Sequence, residues 1–144
     1  ATVYTLAAEA SDEVAAVLAE RHDRADLLAG VDLSGQGDLI AEVLMDLART
    51  ETAPRSDRLA RHLVGSIRTA TGRMHRRPHQ MANFTVLRAP DIPSALVELG
   101  FLSSPRDLAE LRDPAWRERL AGGIVEALRA WAVEDAAEAA LLRQ

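Results

Sequence analysis

Residues 92–102 read IPSALVELGFL, and this stretch decides how the rest of the chain is interpreted. Its nearly unbroken apolar run is typical of a strand buried on both faces, and we predict a strand over residues 94–101. Glu98 interrupts the run. Because burying an ionised carboxylate without a partner costs several kcal/mol, the chain must gain something from this side chain.

Two further segments resemble strands. TVYTLA (residues 2–7) and FTVLR (residues 84–88) are rich in β-branched and aromatic residues, which favour strands. Strands that alternate with helices indicate an α/β layer fold. We therefore expect an α/β fold with a small, mostly parallel sheet flanked by helices, and a helical insertion between the first and second strands.

Apolar periodicity predicts three helices in that insertion: one from Ser11 to Gly30, one over about 38–50, and one from Pro54 to about Met74. Beyond the 94–101 strand, Ser104 and Asp113 are each followed by proline, a pattern typical of helix N-termini. The tail AVEDAAEAALLRQ (residues 132–144) is helix-prone, and we expect it to be weakly anchored.

Composition limits the function classes. Apolar residues make up 48% of the 144 residues, which indicates a folded domain, and there is no cysteine for disulfides or thiolate metal sites. The net charge of −5 argues against nucleic acid as a partner. No stretch approaches the roughly 20 apolar residues of a membrane span.

Glu98 is the first candidate for chemistry. Active-site groups collect at the carboxyl ends of parallel strands, and Gly100 allows the backbone to turn there. Apolar neighbours would raise the pKa of such a carboxyl group, which suits a general acid or base near neutral pH. The alternative is a structural carboxylate that pairs with an arginine or caps a backbone amide.

The histidines give weaker patterns. HRRPH (residues 75–79) has the spacing of helical metal ligands, but its proline favours a turn. His62 lies off the apolar stripe of its helix, so a solvated flank is the simpler interpretation. His22 and Asp26 are four residues apart on one helix and are suited to bind one ion. A surface pair is the simpler interpretation.

Residues 75–131 resemble the end of the zinc-dependent N-acetylmuramoyl-L-alanine amidases, most of all the branch that splits septal murein during cell division. The family pattern F-x-V-L appears at 84–87, and P-S-x-L-V-E-T-G-F-x-S-N-P appears at 93–105. Leu99 replaces the usual threonine and Ser104 the usual asparagine. The resemblance extends over nearly the whole chain, so residues 1–144 would be the C-terminal portion of the catalytic domain, with its final strands and helix at 84–131.

The resemblance implies a chemistry. Glu98 takes the place of the catalytic glutamate, which would act with zinc-bound water on the amide between N-acetylmuramic acid and the L-alanine of the stem peptide. The substrate would be peptidoglycan in the periplasm or cell envelope. The family's zinc ligands would lie upstream of residue 1, so this chain alone should be inactive.

The resemblance also implies regulation. Residues 11–53 correspond to a helical segment that fills the active-site cleft until an activator protein moves it. In AERHDRADL (residues 19–27), His22 stands where the family places a glutamate that blocks the zinc, so it is a candidate inhibitory ligand. A fragment of a sheet would expose an edge strand, which favours dimerisation.

Two other functions stay open. The chain is also consistent with a non-catalytic regulatory or protein-interaction module, because the expected zinc ligands are absent. A weaker possibility is a deacetylase or peptidase with its own metal site at His22, Asp26 and Glu98.

Overall fold

The computed structural model of the chain describes residues 1–7, 10–11, 13–28 and 39–141. The elements, in chain order, are β1 (Thr2–Leu6), α1 (Glu13–Leu28), α2 (Leu39–Thr71), β2 (His79–Ala82), a 3₁₀ helix (Thr85–Leu87), β3 (Leu96–Glu98), α3 (Pro105–Arg112) and α4 (Pro114–Leu141). The predicted α/β class is confirmed. Among the described residues, no helix is both long enough and apolar enough to cross a membrane.

The three strands form one sheet in the order β2-β1-β3. The Val3 N–H donates to the carbonyl of Pro78 at 2.8 Å, and the Ala7 N–H donates to that of Ala82 at 3.1 Å. Both bonds advance in the same chain direction, so β1 and β2 are parallel. The sheet as a whole is mixed, with one parallel pair, and β2 and β3 are its edge strands within the described residues.

The chain divides into two compact units. One, the Phe84 unit, comprises Tyr4–Asp57 and Gln80–Leu96; the other, the Glu98 unit, comprises Ala1–Val3, Arg58–His79 and Val97–Gln144. The core of the Phe84 unit has an edge-to-face ring pair at its centre, with the centroids of Tyr4 and Phe84 5.3 Å apart. The other buried members of this core are Ala15, Ala19, Ala82 and Leu87.

The predicted strand over 84–88 is wrong. The strand lies earlier, at His79–Ala82, and residues 85–87 form a 3₁₀ helix in which the Leu87 N–H donates to the carbonyl of Phe84 at 3.1 Å. Phe84 and Leu87 are both buried. Because a 3₁₀ helix has three residues per turn, this conformation points both side chains into the core, whereas a strand would place them on opposite faces.

The predicted break at Pro54 is also wrong, because α2 is continuous from Leu39 to Thr71. A proline inside a helix costs about 3 kcal/mol. Side-chain hydrogen bonds on both sides of Pro54 hold the helix in place. Thr52 donates to the carbonyl of Pro90 at 2.7 Å, and Ser56 accepts the N–H of Ser94 at 3.0 Å.

In the Glu98 unit, α2 and α4 pack closely. A Cβ atom at Gly123 would lie 2.9 Å from the Cβ of Ala70, so only glycine fits this contact without a shift. The buried apolar side chains of the two helices here are Leu59, Ala60, Leu63, Ile67, Trp116, Leu120 and Ala127.

The C-terminal tail is expected from the sequence to be weakly anchored, but its described part (residues 132–141) is bound to α2. Arg58 Nη2 lies 2.5 Å from Glu138 Oε2 and 3.7 Å from Asp135 Oδ1. His62 Nε2 lies 2.5 Å from Glu134 Oε2, and this contact holds the pKa of Glu134 below its ordinary value. These pairs join residues 134–138 of α4 to α2.

The strand predicted over 94–101 exists but is shorter, at Leu96–Glu98, and its residues are only half-buried. The prediction that both faces are buried is therefore wrong for this chain. β3 has a single neighbour in the sheet, so an edge position explains why its apolar residues stay partly accessible.

Candidate functional site

Glu98 is the last residue of β3, and it lines a cavity of about 210 Å³. The cavity lies within the Glu98 unit and is lined by Ala1, Thr2, Arg73, Met74, His75, Arg76, Glu98, Gly100, Phe101 and Asp107. The half-buried residue at the strand end therefore lines a concave space that is large enough for part of a ligand.

The two helix starts that follow β3 form as the sequence predicts. Ser104 caps α3, since its Oγ accepts the N–H of Asp107 at 3.3 Å, and Pro105 occupies the first helical position. Asp113 caps α4 in the same way, with its Oδ1 3.0 Å from the N–H of Ala115. These caps fix the start of each helix locally, without help from distant residues.

Asp107 joins two walls of the cavity. Its Oδ2 accepts the backbone N–H of Phe101 at 3.1 Å, and its Oδ1 accepts a hydrogen bond from Arg73 Nη2 at 2.7 Å. The same Arg73 nitrogen also donates to Glu110 Oε2 at 2.6 Å. One guanidinium group thus binds two carboxylates of α3.

The charges in this network stabilise one another. The bond from Arg73, and next the N–H of Phe101, hold the pKa of Asp107 below its ordinary value. The bonds to Asp107 and Glu110 raise the pKa of Arg73. The lowered pKa of Asp107 and the raised pKa of Arg73 keep this pair ionised at neutral pH, and the Phe101 N–H donates to a charged acceptor.

Gly100 lies close to the same carboxylate. A Cβ atom built on it would be 3.0 Å from the Cβ of Asp107 and 3.3 Å from its carboxyl carbon. Any side chain at this position would press on Asp107. The glycine of the VELGF segment (residues 97–101) thus allows the close approach of α3.

Sequence reasoning identified Glu98 but missed the residues around it. Arg73, His75 and Arg76 lie between α2 and β2 and line the same cavity. From the sequence, the HRRPH pattern (residues 75–79) predicts only a turn. The His75 N–H donates to the carbonyl of Ala1 at 2.9 Å, which fixes this loop to the start of β1. No local pattern predicts these contacts, because the partners are far apart in sequence.

The described residues do not form a zinc centre. Among them, no group of three or more histidine, cysteine, aspartate or glutamate side chains is placed to hold a metal. His22 and Asp26 lie in α1, but their side chains fall outside the described part, so their predicted roles stay predictions. His62 pairs with Glu134, in line with a structural role.

A larger cavity, of about 820 Å³, lies between α2 and α4 and is distinct from the Glu98 cavity. Small residues such as Gly65, Ser66 and Gly122 provide much of its lining. It contains no strand end and no member of the VELGF segment, so size alone does not identify the reactive site.

The comparisons with known proteins agree with the sequence resemblance. The profile of the N-acetylmuramoyl-L-alanine amidase family matches residues 2–130. N-acetylmuramoyl-L-alanine amidase AmiA of Escherichia coli is 35% identical over 127 residues, which cover 88% of this chain and 44% of that protein.

Two further relatives show the same pattern. N-acetylmuramoyl-L-alanine amidase AmiC of Neisseria meningitidis is 32% identical over 83% of this chain and 28% of its own length. The probable amidase AmiB of Haemophilus influenzae is 33% identical over 91% of this chain and 31% of its own length. The chain thus spans less than half the length of these curated relatives. From the match over residues 2–130, we conclude that the chain belongs to the N-acetylmuramoyl-L-alanine amidase family and represents part of such a protein.

Proposed function

We propose that the protein to which this chain belongs hydrolyses the amide between N-acetylmuramic acid and the L-alanine of the peptidoglycan stem peptide, with Glu98 as its catalytic carboxylate. The observation that carries this proposal is the position of Glu98, which ends β3 at the border of a cavity. Its place within the family's VELGF-type segment, in a chain matched by the family profile over residues 2–130, gives further support.

The reaction needs a group that moves a proton. The Glu98 carboxylate would accept a proton from the attacking water as the oxygen adds to the lactyl carbonyl. It would then return that proton to the nitrogen of L-alanine as the carbon–nitrogen bond breaks. The products are a lactyl carboxylate and a peptide with a free N-terminal amine. Positioned proton transfer of this kind contributes about 10²- to 10⁴-fold to a rate.

We further propose that the protein requires zinc. Zinc lowers the pKa of a bound water, and so generates a nucleophile at neutral pH. The described residues of this chain do not provide its ligands. We place the ligands in the portion of the protein that corresponds to the remainder of the relatives' length.

The location and control of the enzyme are part of the same proposal. We place it in the periplasm or cell envelope, in cell division, with residues 11–53 as an inhibitory segment that an activator protein displaces. His22 would be its zinc-blocking ligand. α1 falls within this segment, and α2 runs through its end at residue 53 without interruption. The edge strands β2 and β3 offer a surface for dimerisation.

The test is to identify the bond that is cut. The full-length protein is incubated with purified muropeptides, and the products are analysed by mass spectrometry. We expect peptides with a free L-alanine amine and glycans with a free lactyl carboxylate. Chelation of divalent metal should abolish this activity, and added zinc should restore it.

Two outcomes would contradict the proposal. Cleavage at a different bond would assign another hydrolase activity. A full-length protein that binds peptidoglycan but leaves every amide intact, with zinc present and residues 11–53 deleted, would point to the non-catalytic module instead.

A further inference from the structure

We propose that Asp107 is a positioning residue for Glu98, because it ties together the two chain segments that form walls of the Glu98 cavity. The inference rests on the proposed function of Glu98. Asp107 itself lies on α3 and acts through the turn that follows β3.

The turn is held by polar bonds. Phe101 is 51% exposed and Leu102 is 73% exposed, so apolar burial contributes little to fixing this part of the backbone. Instead, the Phe101 N–H binds the Asp107 carboxylate at 3.1 Å, and the Phe101 carbonyl accepts the N–H of Ser104 at 3.0 Å. Since Phe101 is three residues from Glu98, a shift of its peptide group would be transmitted to the catalytic carboxyl.

The second wall is the loop between α2 and β2. This loop begins at Gly72, whose positive φ of 73° ends α2. Arg73 follows and binds Asp107 at 2.7 Å and Glu110 at 2.6 Å. The loop is thereby fastened to α3, and His75 and Arg76 are held at the border of the cavity.

The contacts of α3 predict how strongly the loss of each of its charged side chains should affect Glu98. Asp107 binds both the Phe101 turn and Arg73, whereas Glu110 binds Arg73 but makes no described bond to the turn. Arg106 contacts Glu110 at 3.5 Å with a side chain that is 70% exposed. Loss of Asp107 should therefore affect Glu98 most, loss of Glu110 less, and loss of Arg106 least.

The experiment compares four variants of the full-length enzyme: Asp107→Ala, Asp107→Asn, Glu110→Gln and, as the matched control, Arg106→Ala. Misplacing a reactive group by 1 Å costs up to about 10²-fold in rate, so we expect kcat of Asp107→Ala to fall roughly 10- to 100-fold while KM stays within about twofold. Asp107→Asn keeps an acceptor for the Phe101 N–H and should lose less. Arg106→Ala should match the wild type.

A second readout does not depend on activity. Amide hydrogen exchange at Phe101 should become faster in Asp107→Ala and stay unchanged in Arg106→Ala. A purely structural role would lower global stability without this local change and would leave kcat of the folded fraction intact, which would overturn the proposal. Unchanged exchange at Phe101 in Asp107→Ala would also overturn it.

The two hypotheses are separable. If Glu98→Gln retains full activity, the proposed function fails, while faster exchange at Phe101 in Asp107→Ala would still show that Asp107 holds the turn. If Glu98→Gln is inactive and Asp107→Ala keeps its kcat, the proposed function stands and the positioning role does not.

Discussion

The core of the Phe84 unit and the Glu98 cavity are held together by different forces. The Phe84 unit is built around apolar contacts, with Phe84 fully buried against Tyr4. The Glu98 cavity is bordered by a half-buried strand end, and its walls are held by hydrogen bonds that Asp107 accepts from Phe101 and Arg73. Dense packing fixes where an element lies, but it would close the cavity beside Glu98. Charged hydrogen bonds fix the backbone and leave the cavity open.

The largest effect on stability should follow from truncating the packed core. Phe84→Ala removes a fully buried aromatic side chain and should lower the free energy of unfolding by about 3–5 kcal/mol. Chemical denaturation of the protein measures this change. The control is Val86→Ala in the 3₁₀ helix that follows Phe84, where the side chain is 53% exposed and the change should stay within about 0.5 kcal/mol. Equal losses for both variants would contradict the packing argument.

A pair of adjacent glycines tests the packing of α4 on α2. Gly123→Ala would place a Cβ atom 2.9 Å from the Cβ of Ala70, and this overpacking should destabilise the protein by about 1–3 kcal/mol. The better helix propensity of alanine would offset up to about 1 kcal/mol of that loss. Nothing lies within 4 Å of a Cβ at Gly122, so Gly122→Ala should stabilise the helix by up to about 1 kcal/mol. Thermal unfolding of both variants checks the opposite signs. The same sign for both would refute the close contact.

The smallest expected effect is the change, on acidification, in the contribution of Asp107 to folding stability. The pKa of Asp107 is lowered in the folded state, so its contribution is fully present above the pKa of the unfolded chain. That contribution is lost as the pH falls through the lowered folded pKa. The stability difference between wild type and Asp107→Asn should therefore shrink on acidification. Because Arg73 is partly exposed, the effect is modest and weakens with salt. A difference that does not change with pH would contradict it.

The parts of the fold that the sequence predicts are those set by local chemistry. β1, the strand that ends at Glu98 and the proline-marked starts of α3 and α4 follow from residues within a few positions of each other. The 3₁₀ helix after Phe84 and the passage of α2 through Pro54 are different. Both depend on tertiary contacts, such as the bond from Thr52 to Pro90, which outweigh local preference.

The candidate site divides in the same way. Glu98 stands out because a carboxylate in an apolar run is costly. The bonds of Arg73 to Asp107 and Glu110 join residues 34 and 37 positions apart, and no spacing rule predicts such partners. A network of this kind becomes visible only when the backbone path is known.

The most direct measurement of the central claim is kcat of the full-length Glu98→Gln enzyme on a defined muropeptide. Glutamine keeps the size of the side chain but cannot carry the proton, so we predict a fall of about 10²- to 10⁴-fold with an unchanged unfolding transition. Glu118→Gln, on the exposed side of α4, is the matched control and should keep wild-type activity. A Glu98→Gln enzyme that releases L-alanine peptides as fast as the wild type would show that this carboxylate is not the catalytic group.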